Sequence, residues 1–363
     1  MFDRRLLLNF DWLLLTLTLL LITAGLVNLY SVSQAGNYSG TSPFQRQLYW
    51  LAAGLVLLVL ALRADTSLLR RIAYPSLALC LLLLVAVPIL GRPVSGAQRW
   101  LSLFGLTLQP SEPAKLTLVL ALALYFSRRV KKLDFKGLAL PSLLLLLPVV
   151  LVLKQPDLGT ALVFVLIFFS LLFLTDLPLK RWLALIAAGL LVLPFSWFFL
   201  YDYQKARLTA FLHPLADPSG AGYQSLQSKI AIGSGKFLGK GFLAGTQTRL
   251  RFLPEQQTDF IFSVLAEEWG FLGSLVLLGL FVLWIGRALT IAAQFRQTFP
   301  SLVTYGITCL VIWQSFLNIA MASGLAPVVG VPLPFLSYGG SSLVTFMLGT
   351  GIILGMRMRR FTN

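Results

Sequence analysis

The side chains able to do chemistry in this chain are few, and most stand where an apolar stretch meets a polar one. Of its 13 acidic residues, Glu112, Asp157, Asp259, Glu267 and Glu268 all fall at the ends of apolar runs. An ionisable group at membrane depth costs roughly 2.5–3.5 kcal/mol, so each needs a partner or a function. The sharpest case is Phe252-Leu-Pro-Glu-Gln-Gln-Thr-Asp-Phe-Ile-Phe262, which places Asp259 immediately before an apolar stretch. Thr258 or Asp259 can cap the helix that follows, an interaction worth about 1 kcal/mol. A carboxylate at a partly dry boundary can equally have a raised pKa and act as a base. The spacing leaves both roles open.

Other segments offer weaker signals, each with a bland alternative. In Gln109-Pro-Ser-Glu-Pro-Ala-Lys115, Glu112 and Lys115 are three apart at a helix start, so they can pair on one face. That suits a helix N-terminus with its favoured acid as well as a cavity lining. Asp157 in Gln155-Pro-Asp-Leu-Gly-Thr160 can cap the next helix or meet a ligand, and Arg99 in Gly96-Ala-Gln-Arg-Trp100 sits beside a Trp of the membrane-anchor type. Gly233 to Gly241 lacks P-loop spacing; its backbone N–H groups with Lys236 and Lys240 offer either a diphosphate cradle or a flexible turn. His213 is the sole histidine, which excludes a Ser-His-Asp hydrolase and a His-rich zinc site.

The elements that must position these groups are membrane helices. The chain has 363 residues, 57% hydrophobic and 12% charged, with a mean hydropathy of +0.84. Apolar stretches near 11–30, 47–62, 73–90, 113–127, 138–153, 158–175, 182–201, 261–286, 302–323 and 341–356 predict an all-α polytopic fold of about ten spans. With the N-terminus inside, 17 Lys and Arg fall on cytoplasmic segments against 5 near short outer loops, so both termini are expected in the cytoplasm. The same asymmetry accounts for most of the +16 formal charge, so no nucleic-acid partner is expected. Cys80 and Cys309 lie within apolar stretches, which predicts free thiols. One integral membrane domain, 1–363, is expected, with a long extracytoplasmic loop at 203–260. A helix is expected within 223–232, and Gly324 to Ser342, rich in Pro and Gly yet apolar, reads as irregular backbone packed into protein.

Together these segments resemble the shape, elongation, division and sporulation family of bacterial membrane proteins. The resemblance rests on Gly96 to Trp100, Gln109 to Glu112, Gln155 to Thr160, Gln224 to Gly235, Leu253 to Phe262 and Pro332 to Ser342, in that order along most of the chain. Pro327-Val-Val-Gly-Val-Pro-Leu-Pro334 and Gly96-Ala-Gln look more like the elongation members than the division members. The resemblance implies a peptidoglycan glycosyltransferase of the bacterial cytoplasmic membrane, serving cell elongation and shape. It would polymerise lipid II with undecaprenyl diphosphate as leaving group, alongside a class B penicillin-binding protein. The family's essential acid falls on Asp259.

On that reading Asp259 is the base, directly or through a bound divalent cation, Mg or Mn, with no organic cofactor. Arg99, Lys115, Lys240 and Arg249 would stabilise charge on the leaving diphosphate, with Glu112 and Asp157 also contacting substrate. Two rivals remain: a flippase for lipid-linked precursors, which also wants broken helices and a basic cavity, and a non-catalytic scaffold for a transpeptidase. The flippase is disfavoured because the charges cluster toward one face, and the scaffold leaves Asp259 without a task.

Overall fold

The computed structural model describes residues 9–36, 40–94, 97–103, 106–128, 134–213 and 220–360. Arg4, Arg5, Gly96, Arg129, Lys131 and Lys132, used above, lie outside them. Helices run α1 Trp12–Gln34, α2 Pro43–Ala61, α3 Thr66–Leu90, α4 Ser111–Ser127, α5 Phe135–Lys154, α6 Leu158–Phe173, α7 Leu179–Phe199, α8 Asp202–Leu212, α9 Ala221–Ser234, α10 Thr246–Arg249, α11 Ile261–Gln294, α12 Thr298–Ala322 and α13 Gly340–Met358. Each apolar stretch in the sequence coincides with one of them. Among the described residues, seven (α1, α2, α3, α5, α11, α12 and α13) are long and apolar enough to cross a membrane.

The bundle is sorted by how much lipid each helix meets. α4 is buried on nearly every side from Ala114 to Phe126, and α12 and α13 are mostly enclosed. Such helices, apolar all round, belong at the centre of a bundle. The outer helices instead expose Leu82 and Ile89 of α3, Leu143 and Leu146 of α5, and Val282 and Leu283 of α11. In water that surface would aggregate; here hydrocarbon is its solvent.

Two features were not legible beforehand. A three-stranded antiparallel sheet, β1 Arg92–Val94, β2 Ala97–Leu103 and β3 Leu106–Leu108, joins α3 to α4. It pairs Arg92 with Trp100 and Leu101 with Leu108. The second is a break in α11. A straight helix of 34 residues would run about 51 Å, well beyond a bilayer core of about 30 Å. At Gly270 the backbone turns to φ 65°, ψ −160°, splitting off a short buried helix, 261–269, from the apolar one that follows.

The freed backbone groups at that break are met by the glycine-rich segment. Lys240 N and Gly241 N donate to the carbonyls of Glu267 and Glu268, both at 3.0 Å, while Phe271 N and Leu272 N donate to Lys236 O and Phe237 O at 2.9 and 3.1 Å. A Cβ on Gly270 would fall 2.2 Å from Gly239 N, so only glycine lets the two strands of chain approach. The described part of 202–260 thus holds α8, α9 and α10, and its stretch 236–241 plugs a broken helix. Residues 323–339 are irregular and packed, with Val328, Val331, Leu333, Phe335 and Leu336 buried.

Candidate active site

Asp259 lies in a turn closed by the Glu255 carbonyl, which accepts from Thr258 N and Asp259 N at 3.2 and 3.1 Å. Its own carbonyl and those of its two preceding neighbours are held from outside the turn. Tyr338 N donates to Gln257 O at 2.8 Å, Ser337 Oγ to Thr258 O at 2.5 Å, and Asn318 Nδ2 of α12 to Asp259 O at 2.9 Å. Where the sequence left a cap or a base open, α11 begins at Ile261 with Phe260 in the cap position and no side-chain cap bond. Asp259 faces a cavity of about 540 Å³.

That cavity is lined from six distant stretches: Trp50 of α2, Arg99, Trp100, Thr107 and Gln109 of the sheet and its exit, Pro156 and Thr160 at the start of α6, Tyr203 and Arg207 of α8, Glu255 to Asp259, and Gly330 to Ser342. Gly330 adopts φ +71°, and a Cβ there would stand 3.4 Å from Asp259 Oδ2 and 3.8 Å from Arg207 Nη1. The acid and the guanidinium therefore face one another across a glycine. Burial and the nearby Glu255 carboxylate push the Asp259 pKa up to about 6, against the opposing pull of Arg207 and Arg99. At neutral pH it is an ionised carboxylate with unusual basicity.

The sheet and α8 supply the positive side. Arg99 on β2 donates through Nε to Gln155 O at 3.2 Å and through Nη2 to Pro156 O, and stands 3.9 Å from Asp157. Tyr203 Oη also donates to Pro156 O, and the Arg207 guanidinium lies 5.7 Å over the Tyr203 ring while donating to Val328 O at 3.1 Å. The cavity also meets the start of α13 at Gly339, Gly340, Ser341 and Ser342, a helix N-terminus with no side-chain cap bond. Two guanidiniums and a helix N-terminus around one cavity make it suited to an anion such as a diphosphate.

The remaining sequence candidates divide. Asp157 is buried and caps α6, accepting from Thr160 N and Oγ1 at 3.1 and 2.9 Å, while also touching Gln109 and Arg99 beside the cavity. Glu112 and Lys115 form a buried pair at 2.7 Å behind the wall. Lys115 also donates to Gln314 Oε1, whose amide donates to Pro332 O. Lys240 and Arg249 are not brought to the cavity, which corrects the expectation that they stand with Asp259. Lys240 pairs with Glu267 at 2.7 Å, and its backbone N–H, like that of Gly241, is spent on the α11 break. The diphosphate-cradle reading of that segment fails for the same reason. Arg249 ends α10, exposed, away from the lining.

Arg207, Tyr203, Glu255, Gly330 and Tyr338 are functional candidates that the sequence reading did not single out. Arg207 entered it only as one charge of a long loop, and nothing local marks it. Glu255 had a signal, lying four residues before Asp259. Among the described residues no group of three or more His, Cys, Asp or Glu comes together to hold a metal. Asp259 and Glu255 line the same cavity and stand close enough for their charges to interact, and two carboxylates suit a cation of the Mg type that keeps waters and takes substrate phosphate oxygens.

Comparison with known proteins then decides the family. Residues 11–361 match the FtsW/RodA/SpoVE family, described as cell cycle proteins. The chain belongs to that family. It is 43% identical to the peptidoglycan glycosyltransferase MrdB of Escherichia coli K12, over 94% of this chain and 93% of the relative. It is 38% identical to a probable peptidoglycan glycosyltransferase FtsW of Trichlorobacter lovleyi, over 96% and 93%. Among solved structures, a chain from a peptidoglycan synthase complex that coordinates polymerization and crosslinking superposes with a TM-score of 0.84 at 37% identity, covering 98% of this chain and 99% of that one. The rod shape determining protein RodA of Thermus thermophilus gives 0.72 at 32% identity, covering 98% of each chain. The fold of this multi-pass membrane protein is therefore the family's fold.

Proposed function

We propose that this chain is a peptidoglycan glycosyltransferase that polymerises lipid II at the outer face of the bacterial cytoplasmic membrane, with about ten spans and cytoplasmic termini. The observation that carries the reading is Asp259 facing a cavity that also holds two guanidiniums and the N-terminus of α13, where burial pushes its pKa up to about 6. The 4-hydroxyl of one saccharide attacks the anomeric carbon of another, and Asp259 takes the hydroxyl proton. As the new C–O bond forms, the bond to undecaprenyl diphosphate breaks. Arg99, Arg207 and the α13 N-terminus stabilise the charge on that leaving group. A single displacement inverts the anomeric centre and needs no covalent enzyme intermediate. A divalent cation, Mg or Mn, would be held by Asp259 and Glu255 and would supply further neutralisation of the diphosphate.

A class B penicillin-binding protein is the proposed partner, supported by the structural similarity to a synthase complex that couples polymerization with crosslinking. The deciding experiment is glycan polymerisation from purified lipid II in liposomes, with wild type and Asp259→Asn, each with the partner. Polymer from wild type alone, with the complex intact in both, is the expected result. Equal polymer from both would leave Asp259 as a structural turn residue. Labelled precursor crossing the liposome without polymer would mark a flippase instead.

A further inference from the structure

The turn that carries Asp259 is held by its carbonyls, and one side chain joins the carbonyl of Asp259 itself to the residue beside Gly330. Asn318 is completely buried near the end of α12. Its amide nitrogen donates to Asp259 O at 2.9 Å and to Val331 O at 2.8 Å. Val331 directly follows Gly330, the residue against which the Asp259 carboxylate rests. Both hydrogens of the amide are thus committed, one to each wall. The Asn318 Oδ1 atom is buried without a hydrogen-bond partner among the described residues. Leaving a buried acceptor unsatisfied carries a desolvation penalty, so the fold tolerates that penalty at the far side of the amide while keeping both donors engaged.

We infer that Asn318 is a positioning residue for the glycosyl transfer, setting the Asp259 carboxylate against the Gly330 wall so that it meets the attacking hydroxyl. The inference rests on the enzymatic reading above. Asn318 touches only backbone, so it acts through Asp259 and not on substrate. Flipping its amide would aim Oδ1 at two carbonyls, so the orientation is determined by the two acceptors. The other clamps hold single carbonyls: Asn28 of α1 reaches Ile261 O at 3.3 Å, and Ser337 and Tyr338 reach Thr258 and Gln257. Ser337 and Tyr338 tie the turn to the far end of the 330–342 segment; among these clamps, Asn318 alone bonds Asp259 itself and the residue next to Gly330.

Two variants test it in the full chain with its transpeptidase partner, assayed for kcat and KM with lipid II and for melting temperature. Asn318→Leu keeps the branched shape and the number of side-chain heavy atoms and removes both donors. Asn318→Ser keeps one hydroxyl donor and leaves room for a relaying water. Misplacing a reacting group by about 1 Å costs on the order of 100-fold. The expectation for Asn318→Leu is a kcat about 30- to 100-fold down with KM within about twofold of wild type; Asn318→Ser should recover part of that loss. Wild-type kcat in Asn318→Leu, or losses that follow melting temperature and KM equally in both variants, overturns the inference. If Asn318→Leu does not fold, Asn318→Ser decides: lowered kcat at unchanged KM supports the positioning role, and full kcat ends it. Wild type without polymer-forming activity overturns the enzymatic reading and the inference with it, whereas wild type active beside an inactive Asp259→Asn leaves only Asn318 in question.

Discussion

Asp259 gains its basicity from two sources that separate experimentally. Burial disfavours its charge, and the Glu255 carboxylate adds a like charge. If the carboxylate form does the work, activity is present above about pH 6 and is lost as pH falls through it. Glu255→Gln removes the like charge and lowers the Asp259 pKa. The acid limb of the pH–rate profile is then expected to move to lower pH, read from polymerisation rates between pH 4.5 and 8. An unmoved limb would show that Glu255 does not sense Asp259 in the working enzyme. Lys240 makes the opposite kind of case. Paired with Glu267 and donating also to Thr246 at 2.7 Å, it braces the outer segment. Lys240→Met should lower the melting temperature while KM for lipid II stays at the wild-type value; a raised KM would return Lys240 to substrate binding.

The element that makes this site feasible is the broken helix α11. A continuous helix would use the carbonyls of Glu267 and Glu268 internally, but the turn at Gly270 frees them, and the chain from Gly235 to Gly241 accepts the task. Glu267 then gathers Lys240 Nζ, Thr246 Oγ1 and the backbone of Gln247 at 2.7, 3.1 and 3.0 Å, which anchors α10 to the same point. The short helix 261–269 is also joined behind the acid, where Ser228 of α9 meets Ser263 at 2.6 Å and Ala322 O at 2.5 Å. Gly270→Ala is expected to cost about 2 kcal/mol or more, since it combines positive-φ strain with a close backbone contact. Loss of folded yield or a clearly lower melting temperature in detergent checks it; an unaffected protein would mean the break is less tightly closed than the hydrogen bonds indicate.

At the scale of the whole molecule, the end opposite the cavity is pinned by one acid. Asp11 is fully shielded, caps α1 through Leu14 N at 2.9 Å, and receives Arg287 of α11 at 3.0 Å together with Arg357 of α13. Three helices meet on a single carboxylate, so Asp11→Asn leaves two guanidiniums short of a counter-charge. A loss of roughly 3 kcal/mol is expected, seen as a lower melting temperature. No change would make the cluster a solvated surface contact. The apolar stretches were legible because lipid solvation demands about 20 apolar residues per crossing whatever the neighbours do. Asp259, Arg99 and Asp157 were legible because charge at an apolar boundary needs a reason, and the family resemblance named the reason for Asp259. Arg207, Gly330, Tyr338 and Asn318 were not, since their meaning is a distance: the cavity is assembled from stretches scattered between residues 50 and 342. Lys240 shows the converse, a basic residue with suitable local chemistry whose charge is taken up by Glu267. The sequence by itself determined the solvent, the helices and the acid at the boundary, because those follow from local transfer energies. Which charges face that acid was decided only by the tertiary structure, because Coulomb and hydrogen-bond partners are chosen by proximity in space, and the chain order does not encode it locally.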